Sequence, residues 1–292
     1  MKTYKQKHIV TFFGLIFLVF TFVACTEEVN LDYETLYNGL VVNAKITTDT
    51  TTQKVILSKS GDPLNRSAIQ YVSNAIVTIT DGTNTFNLSE NDTLKGVYET
   101  APNVYGVPGK KYVLNISNVD INNDGIMETY SAESLLEKIN PIDSITIVSQ
   151  NFDAENRGWA VNLYSQDIGG GRDYYLVKVK VNTSMVTDSL QEYSIASNGG
   201  FEGQYYDGLT VYFLNNGKTD ERLTPGDTVT LELDGITEGY YNFVDGYKQE
   251  YFPKNPIFSG PSANVTTNIM PKNNASGYFV AYSIQRKRTV FK

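Results

Sequence analysis

Histidine and cysteine are nearly missing from this chain: each occurs once, as His8 and Cys25. If the first residues are an excised leader, the only imidazole leaves with it. The remaining chain can then assemble no Ser-His-Asp triad, no Cys-His pair and no histidine-bound zinc. A single sulfur cannot close an intrachain disulfide. Positive charge is also short, with 24 Lys and Arg against 32 Asp and Glu, a formal net charge of −8. That imbalance repels nucleic acid and anionic lipid, so no nucleic-acid partner is expected. Any catalysis would fall to carboxylates, Lys, Tyr or an oxygen-bound metal, and the expectation is a protein that is not an enzyme.

The longest apolar run, residues 9–24, is uncharged and follows Lys2, Lys5 and Lys7, with no acid before Glu27. It falls short of the roughly 20 residues of a bilayer-crossing helix and suits the apolar core of a secretory signal. It ends in Phe22-Val23-Ala24-Cys25, which resembles a bacterial lipobox, although Leu is usual where Phe22 stands. On this reading residues 1–24 are a lipoprotein signal peptide that is removed. Cys25 is acylated, and 25–38 form a lipid-anchored tether. Removal takes three lysines and no acid, so the net charge moves from −8 to −11 over the remaining 268 residues. Membrane attachment then comes from the acyl chains, about 0.8 kcal/mol per buried methylene. Glu27 and Glu28 resemble a surface-export signal. The expected location is the outer membrane, lipid-anchored and facing the cell exterior, with outer-membrane lipid as the first partner and no cofactor beyond the covalent lipid.

Downstream, short apolar-alternating segments dominate. Residues 40–46, 54–58, 75–80, 85–88, 96–100 and 111–116 read as strands with one wet face and one buried face. Asp81-Gly82 supplies a hairpin turn. About seven strands with no helical period predict an immunoglobulin-like β-sandwich over 39–137. Asn140-Pro141 marks a joint. A larger antiparallel β domain is expected over 142–292, its clearest strands at 144–148, 159–164, 174–181, 228–233 and 277–284. Its one helix is expected at 238–252. Thr237 is placed to cap that helix, and Tyr240, Phe243, Val244, Tyr247 and Tyr251 share one face, a spacing that more often builds core than a ligand platform. Arg286, Lys287 and Arg288 read as a solvated strand end.

Two constellations carry chemistry. Asp120, Asn122 and Asp124, followed by Gly125, give the first half of a calcium loop. The twelfth position is Ser131 instead of a bidentate Glu, so an ordinary hairpin tip is the preferred reading and calcium the alternative. The aromatic stretch Phe201, Glu202, Gln204, Tyr205, Tyr206 and Asp207 is the candidate ligand or partner surface. Flat rings beside amides and carboxylates stack on sugars or anchor a protein interface. Asp153, Glu155, Asp167 and Asp173 offer carboxylates, but nothing in the pattern brings two face to face as glycoside cleavage requires.

Several fragments stand in a fixed order: Leu40-Val41-Val42, Asn74-Ala75-Ile76-Val77, Gly96-Val97-Tyr98, Gly109-Lys110-Lys111-Tyr112-Val113-Leu114, Tyr130-Ser131-Ala132-Glu133 and Ile142-Asp143-Ser144-Ile145. Asp173-Tyr174-Tyr175-Leu176, Phe201, Asp207-Gly208, Asn255-Pro256-Ile257-Phe258 and Asn268-Ile269 come after them. Together they resemble the domain-of-unknown-function 4249 family, outer-membrane-associated lipoproteins of the Bacteroidota. The resemblance implies a protein often encoded beside TonB-dependent outer-membrane receptors, with no settled activity and no established catalytic residues. The expectation is a non-catalytic accessory of such a receptor in uptake at the cell surface. The alternative is a surface lipoprotein that binds a glycan or peptide ligand.

Overall fold

A computed structural model of the protein describes residues 39–61, 68–151, 157–252 and 265–292. The leader, Cys25, Glu27, Glu28, Asp153, Glu155 and the Asn255-Pro256 fragment lie outside the described residues.

The protein is mostly β with one α-helix among the described residues. The first layer pair uses β1 (Leu40–Thr47), β2 (Lys54–Lys59), β3 (Ile76–Thr80), β4 (Thr85–Glu90), β5 (Val97–Glu99), β6 (Lys111–Val119) and β7 (Glu128–Leu135). Alternation decides which face turns inward. Leu40, Val42, Ala44 and Ile46 of β1 are buried, as are Tyr112, Leu114 and Ile116 of β6. The hydrogen-bonded path runs β1-β2-β5-β4-β3-β6-β7. It folds over between β5 and β4, because inward residues of β1 and β2 meet those of β3 and β6 in a single core. This is the sandwich expected from the pattern.

The remainder contains β8 (Ser144–Asn151), β9 (Arg157–Gln166), β10 (Tyr174–Val181), β11 (Ser184–Met185), β12 (Ser194–Ser197), β13 (Tyr205–Asn215), β14 (Thr228–Ile236), α1 (Glu238–Tyr251) and β15 (Ala275–Val290). β13, β9 and β8 form a separate three-stranded antiparallel sheet. β10 and β14 bury one face against it, through Val177, Val179, Val229, Leu231 and Leu233. Their other face, with Leu176 and Ile236, lies under α1. Thr237 caps the helix, its side-chain oxygen accepting from Tyr240 N. Tyr240, Phe243 and Val244 are core as expected, while Tyr251 at the far end of the same stripe is exposed. Residues 205–215, which are not among the strands expected from the sequence, form an 11-residue strand. Register shifts between Asp207 and Leu209 and between Thr210 and Tyr212 break the alternation that would have revealed it.

β15 joins the cores. Its first half pairs in parallel with β1, Leu40 opposite Ala275 through Thr47 opposite Tyr282. Its second half pairs antiparallel with β14, Ser283 opposite Gly235 through Val290 opposite Thr228. Phe279 and Ala281 fill the first core, Val280 and Tyr282 the core under α1, and Phe291 just beyond it the second core. The first core is therefore built from both sides of the joint expected at 137–142. Where β15 has no ladder partner on one edge, side chains supply the bonds. Asn268 accepts from Phe279 N at 3.0 Å and donates to Phe279 O at 2.8 Å and Glu133 O at 3.0 Å. Ser134 Oγ accepts from Ala281 N, Ser283 Oγ donates to Glu137 O, and Thr48 Oγ1 accepts from Ile284 N.

Replacing Asn268 by Ala removes three hydrogen bonds and leaves a strand N–H without a partner. We expect a loss of about 2–3 kcal/mol, read as a lowered urea midpoint at unchanged m-value.

Candidate functional site

The aromatic surface is built around a carboxylate that the fold encloses. Asp167 follows β9 directly and is 1% exposed. Its Oδ1 accepts from Gly169 N at 2.7 Å and Gly203 N at 2.8 Å. Its Oδ2 accepts from Asn198 Nδ2 at 3.1 Å and Tyr206 Oη at 3.0 Å. Burial acts to raise the Asp167 pKa, yet these donors together hold it below its ordinary value. Asn198 ties in the next loop, accepting from Asp173 N and donating to Gly171 O. Gly169, Gly170 and Gly171 all have positive φ, so this triplet is the path that wraps the chain around the carboxylate. Burial, then the charge of Asp167, pushes Asp173 up.

This network decides which candidate residues face outward. Tyr206 does not: it is 7% exposed, with its hydroxyl on Asp167. The expected surface therefore loses this ring, because a buried carboxylate needs its proton. Phe201 and Tyr205 remain about half exposed, and Phe201 leans edge-on against Tyr206. Ile168, which the sequence pattern does not single out, is exposed beside them, since Asp167 N donates to Gln204 O. Glu202 accepts from Gly200 N and Gln204 donates to Gly200 O, so both support the turn. Asp207 is exposed opposite Tyr164. Local desolvation and the Asp143 carboxylate push the Tyr205 phenol up. Two outward rings with an aliphatic neighbour on a braced turn can stack or anchor. Asp167, its lone pairs filled by four donors, is poorly placed to act as a base.

A second cluster is not visible in the sequence pattern. Lys178 on β10 sits between Asp234 Oδ2 at 2.5 Å and Glu232 Oε1 at 3.1 Å on β14. Arg286 on β15 donates to Glu232 Oε2 at 2.6 Å and forks onto Asp49 at 2.9 and 2.6 Å. Arg286 is thus an ion-pair member and not part of a solvated tail. The rings of Tyr282 and Tyr193 lie 5.0 and 5.5 Å from the Lys178 ammonium. Lys178, Glu232 and Asp234 alternate with apolar residues, which normally marks a wet face. Here α1 and Tyr193 cover that face. Burial acts to lower Lys178, but Asp234, Tyr282 and Glu232 outweigh it and the group stays an ammonium. Burial pushes Asp234, which is fully enclosed, up to about 7 against the pull of Lys178. Its Oδ1 has no hydrogen-bond partner among the described residues.

Most of the ordered sequence fragments have structural duties. Gly96 has φ +70 and would set a Cβ 2.6 Å from Leu57 O. Tyr98 donates its hydroxyl to Val72 O, and the Tyr112 hydroxyl accepts from Val107 N. The family model described as "Domain of unknown function (DUF4249)" matches residues 26–288. The chain belongs to the domain-of-unknown-function 4249 family. No curated protein matches it.

In this member of the 4249 family, the calcium-loop residues make a hairpin tip. Asp120 accepts from Asp124 N at 3.1 Å and Gly125 N at 3.0 Å, and Asp124 accepts from Ile126 N at 2.7 Å. Asn122 accepts from Asp124 N and donates to Asp124 Oδ2. Lys59 places its ammonium on Ile121 O at 2.9 Å and Asn123 Oδ1 at 3.2 Å. Carboxylates turned onto backbone N–H groups beside a resident ammonium are not arranged as a cation shell. Among the described residues no group of three or more His, Cys, Asp or Glu is placed to hold a metal.

Millimolar calcium is expected to leave the melting temperature unchanged and to give no binding heat by calorimetry. Asp234 sets a pH dependence. Its carboxyl is protonated up to about 7 in the fold, against about 4 in an unfolded chain. Between those values the native state binds more protons, so this contribution to stability falls as pH rises. Glu232 is shifted down by Lys178 and Arg286 against the opposing effect of burial, so its contribution is lost only in acid. The wild-type minus Asp234→Asn difference in unfolding free energy should therefore decline from pH 4 to 8, measured by urea unfolding at each pH.

Proposed function

We propose that this protein is a lipid-anchored, non-catalytic accessory of the outer membrane that engages a TonB-dependent receptor in uptake at the cell surface. The carrying observation is the braced pair Phe201 and Tyr205, half exposed beside Ile168 on a turn fixed by Asp167. Interface anchors are typically aromatic side chains held in place before binding, because ordering them on contact costs affinity. The lipobox-like ending at Cys25 and the Glu27-Glu28 pair support attachment and display. Among the described residues no helix is long and apolar enough to cross a membrane. The acidic clusters support a recognition role, since their carboxylates are engaged by backbone, amide, hydroxyl or ammonium donors. A surface glycan-binding lipoprotein is the second reading. It is favoured by the Asp207 carboxylate exposed alongside the two rings.

Affinity purification from gently solubilised membranes separates these readings. A stoichiometric outer-membrane barrel is expected to co-purify, and Phe201→Ala with Tyr205→Ala should reduce its recovery about tenfold or more at unchanged melting temperature. Recovery as a lone chain that is retained by a glycan array would replace the accessory role with the second reading. Turnover abolished by one Asp or Glu change would overturn both.

A further inference from the structure

Exposed apolar side chains of the sandwich gather at one end. Gly39, where the described chain leads into β1, exchanges bonds with Ser60: its N donates to Ser60 Oγ at 3.0 Å and its O accepts from Ser60 N at 2.8 Å. Lys59 N donates to Gln70 O, and Ser58 bridges Tyr71, which sets Ile69 and Tyr71 beside Gly39. A Cβ at Gly96 would touch Tyr71, so the turn carrying Leu94 adjoins them. The Lys59 ammonium draws the 120–127 turn, with Ile126 and Met127, to the same end. Met270 bridges Ser131, the fourth residue of β7, and the chain runs from there to Ala275 opposite Leu40 at this end. These six are 49% to 69% exposed. At the opposite end of the sandwich Tyr105 is 53% exposed, and Val107 and Leu135 only 38% and 39%.

We propose that this end is a membrane-docking face, and that its occupant is the lipid surface holding the acylated N-terminus. The inference rests on the lipid anchor of the proposed function. The chain between Cys25 and Gly39 is short: residues 26–38 span at most about 45 Å when fully extended. An anchor at that distance presents the bilayer to this end at high effective concentration, so weak insertion becomes an intramolecular event. The six side chains project from four separate segments. Isolated apolar tips suit a deformable interface, whereas a protein partner requires a packed, complementary patch. Tyr is at home at the headgroup level. Asp120, Asp124 and Lys59 at this end are already paired, the carboxylates with backbone N–H and the ammonium with the turn. Asp92 and Lys95, which flank Leu94, are exposed and stay at the headgroup level when Leu94 enters. A net-negative chain gains nothing from anionic lipid, so zwitterionic headgroups suffice.

The test uses the full processed chain, reconstituted through its own N-terminus into zwitterionic phosphatidylcholine vesicles with and without bromine on the acyl chains. Met127→Trp and Ile69→Trp report on the proposed face and Val107→Trp on the opposite end, each read above the background of native Trp159. The expected result is a blue shift and about a twofold or greater loss of emission in brominated vesicles for M127W and I69W, with V107W unaffected. The mass of the N-terminal peptide reports acylation separately. Acylated chains in which all three indoles behave alike would overturn the docking face and leave the anchor standing. An N-terminal peptide without acyl mass would remove the anchor, and the docking face with it.

Discussion

The parallel pairing of β1 with the first half of β15 joins residues about as far apart in sequence as the described chain allows. Parallel partners require a crossover, and here that crossover is nearly the whole protein. The sandwich accordingly lacks its last strand until the C-terminal segment arrives. Phe279 and Ala281 are inward residues of its core, so residues 39–137 do not supply that core in full. High sequence separation of this kind delays productive contacts until a large loop has closed.

A strand that changes neighbours midway leaves one edge open on each side of the change. At the change itself, Ser283 donates to Glu137 O. Three side chains fill the open edges: before the β14 ladder begins, Asn268 accepts from Phe279 N and Ser134 from Ala281 N, and after the β1 ladder has ended, Thr48 accepts from Ile284 N. Two residues further, Arg286 fastens β15 to Glu232 on β14 and to Asp49 just after β1. Breaking a buried pair by removing one partner costs far more than replacing both with apolar residues. We therefore read the Asp49–Arg286–Glu232–Lys178–Asp234 chain as a device that sets register between the two halves. Its contribution to net stability is a separate matter, and Asp234 Oδ1, without a partner among the described residues, works against it.

How much of the fold and of the aromatic site is legible in the sequence depends on how local each feature is. Strands with strict alternation, such as 40–46 and 111–116, are visible because burial of one face is a local property. The helix is visible for the same reason, through Thr237 and its aromatic stripe. Three features are hidden because they depend on distant segments. Lys178, Glu232 and Asp234 look solvated until α1 covers them. Tyr206 looks like surface until Asp167 requires its proton. β13 goes unseen because two bulges interrupt its period. A weak signal does exist for the charged cluster: strongly β-forming strands with opposite charges at matching alternation, Lys178 in one and Glu232 and Asp234 in the other. Asn268 offers no such signal, since its role exists only once β7 and β15 lie on either side of it.

The acidic surplus gains a mechanical meaning from these contacts. Two carboxylates that suggest catalysis or metal binding from sequence alone are engaged internally, Asp167 by four donors and Asp120 by backbone amides; Asp234, which looks solvated in the sequence, is held by Lys178. Each of these bonds holds one loop or strand against another that is distant in sequence or turns a hairpin tip sharply. Substrate chemistry needs a group whose protonation or lone pairs are free to change, and a group fully engaged in holding loops together resists that change. At the 201–207 turn and around Gly39 the same internal bonds leave apolar and aromatic side chains facing outward: Phe201, Tyr205 and Ile168 on the first, Ile69 and Tyr71 on the second.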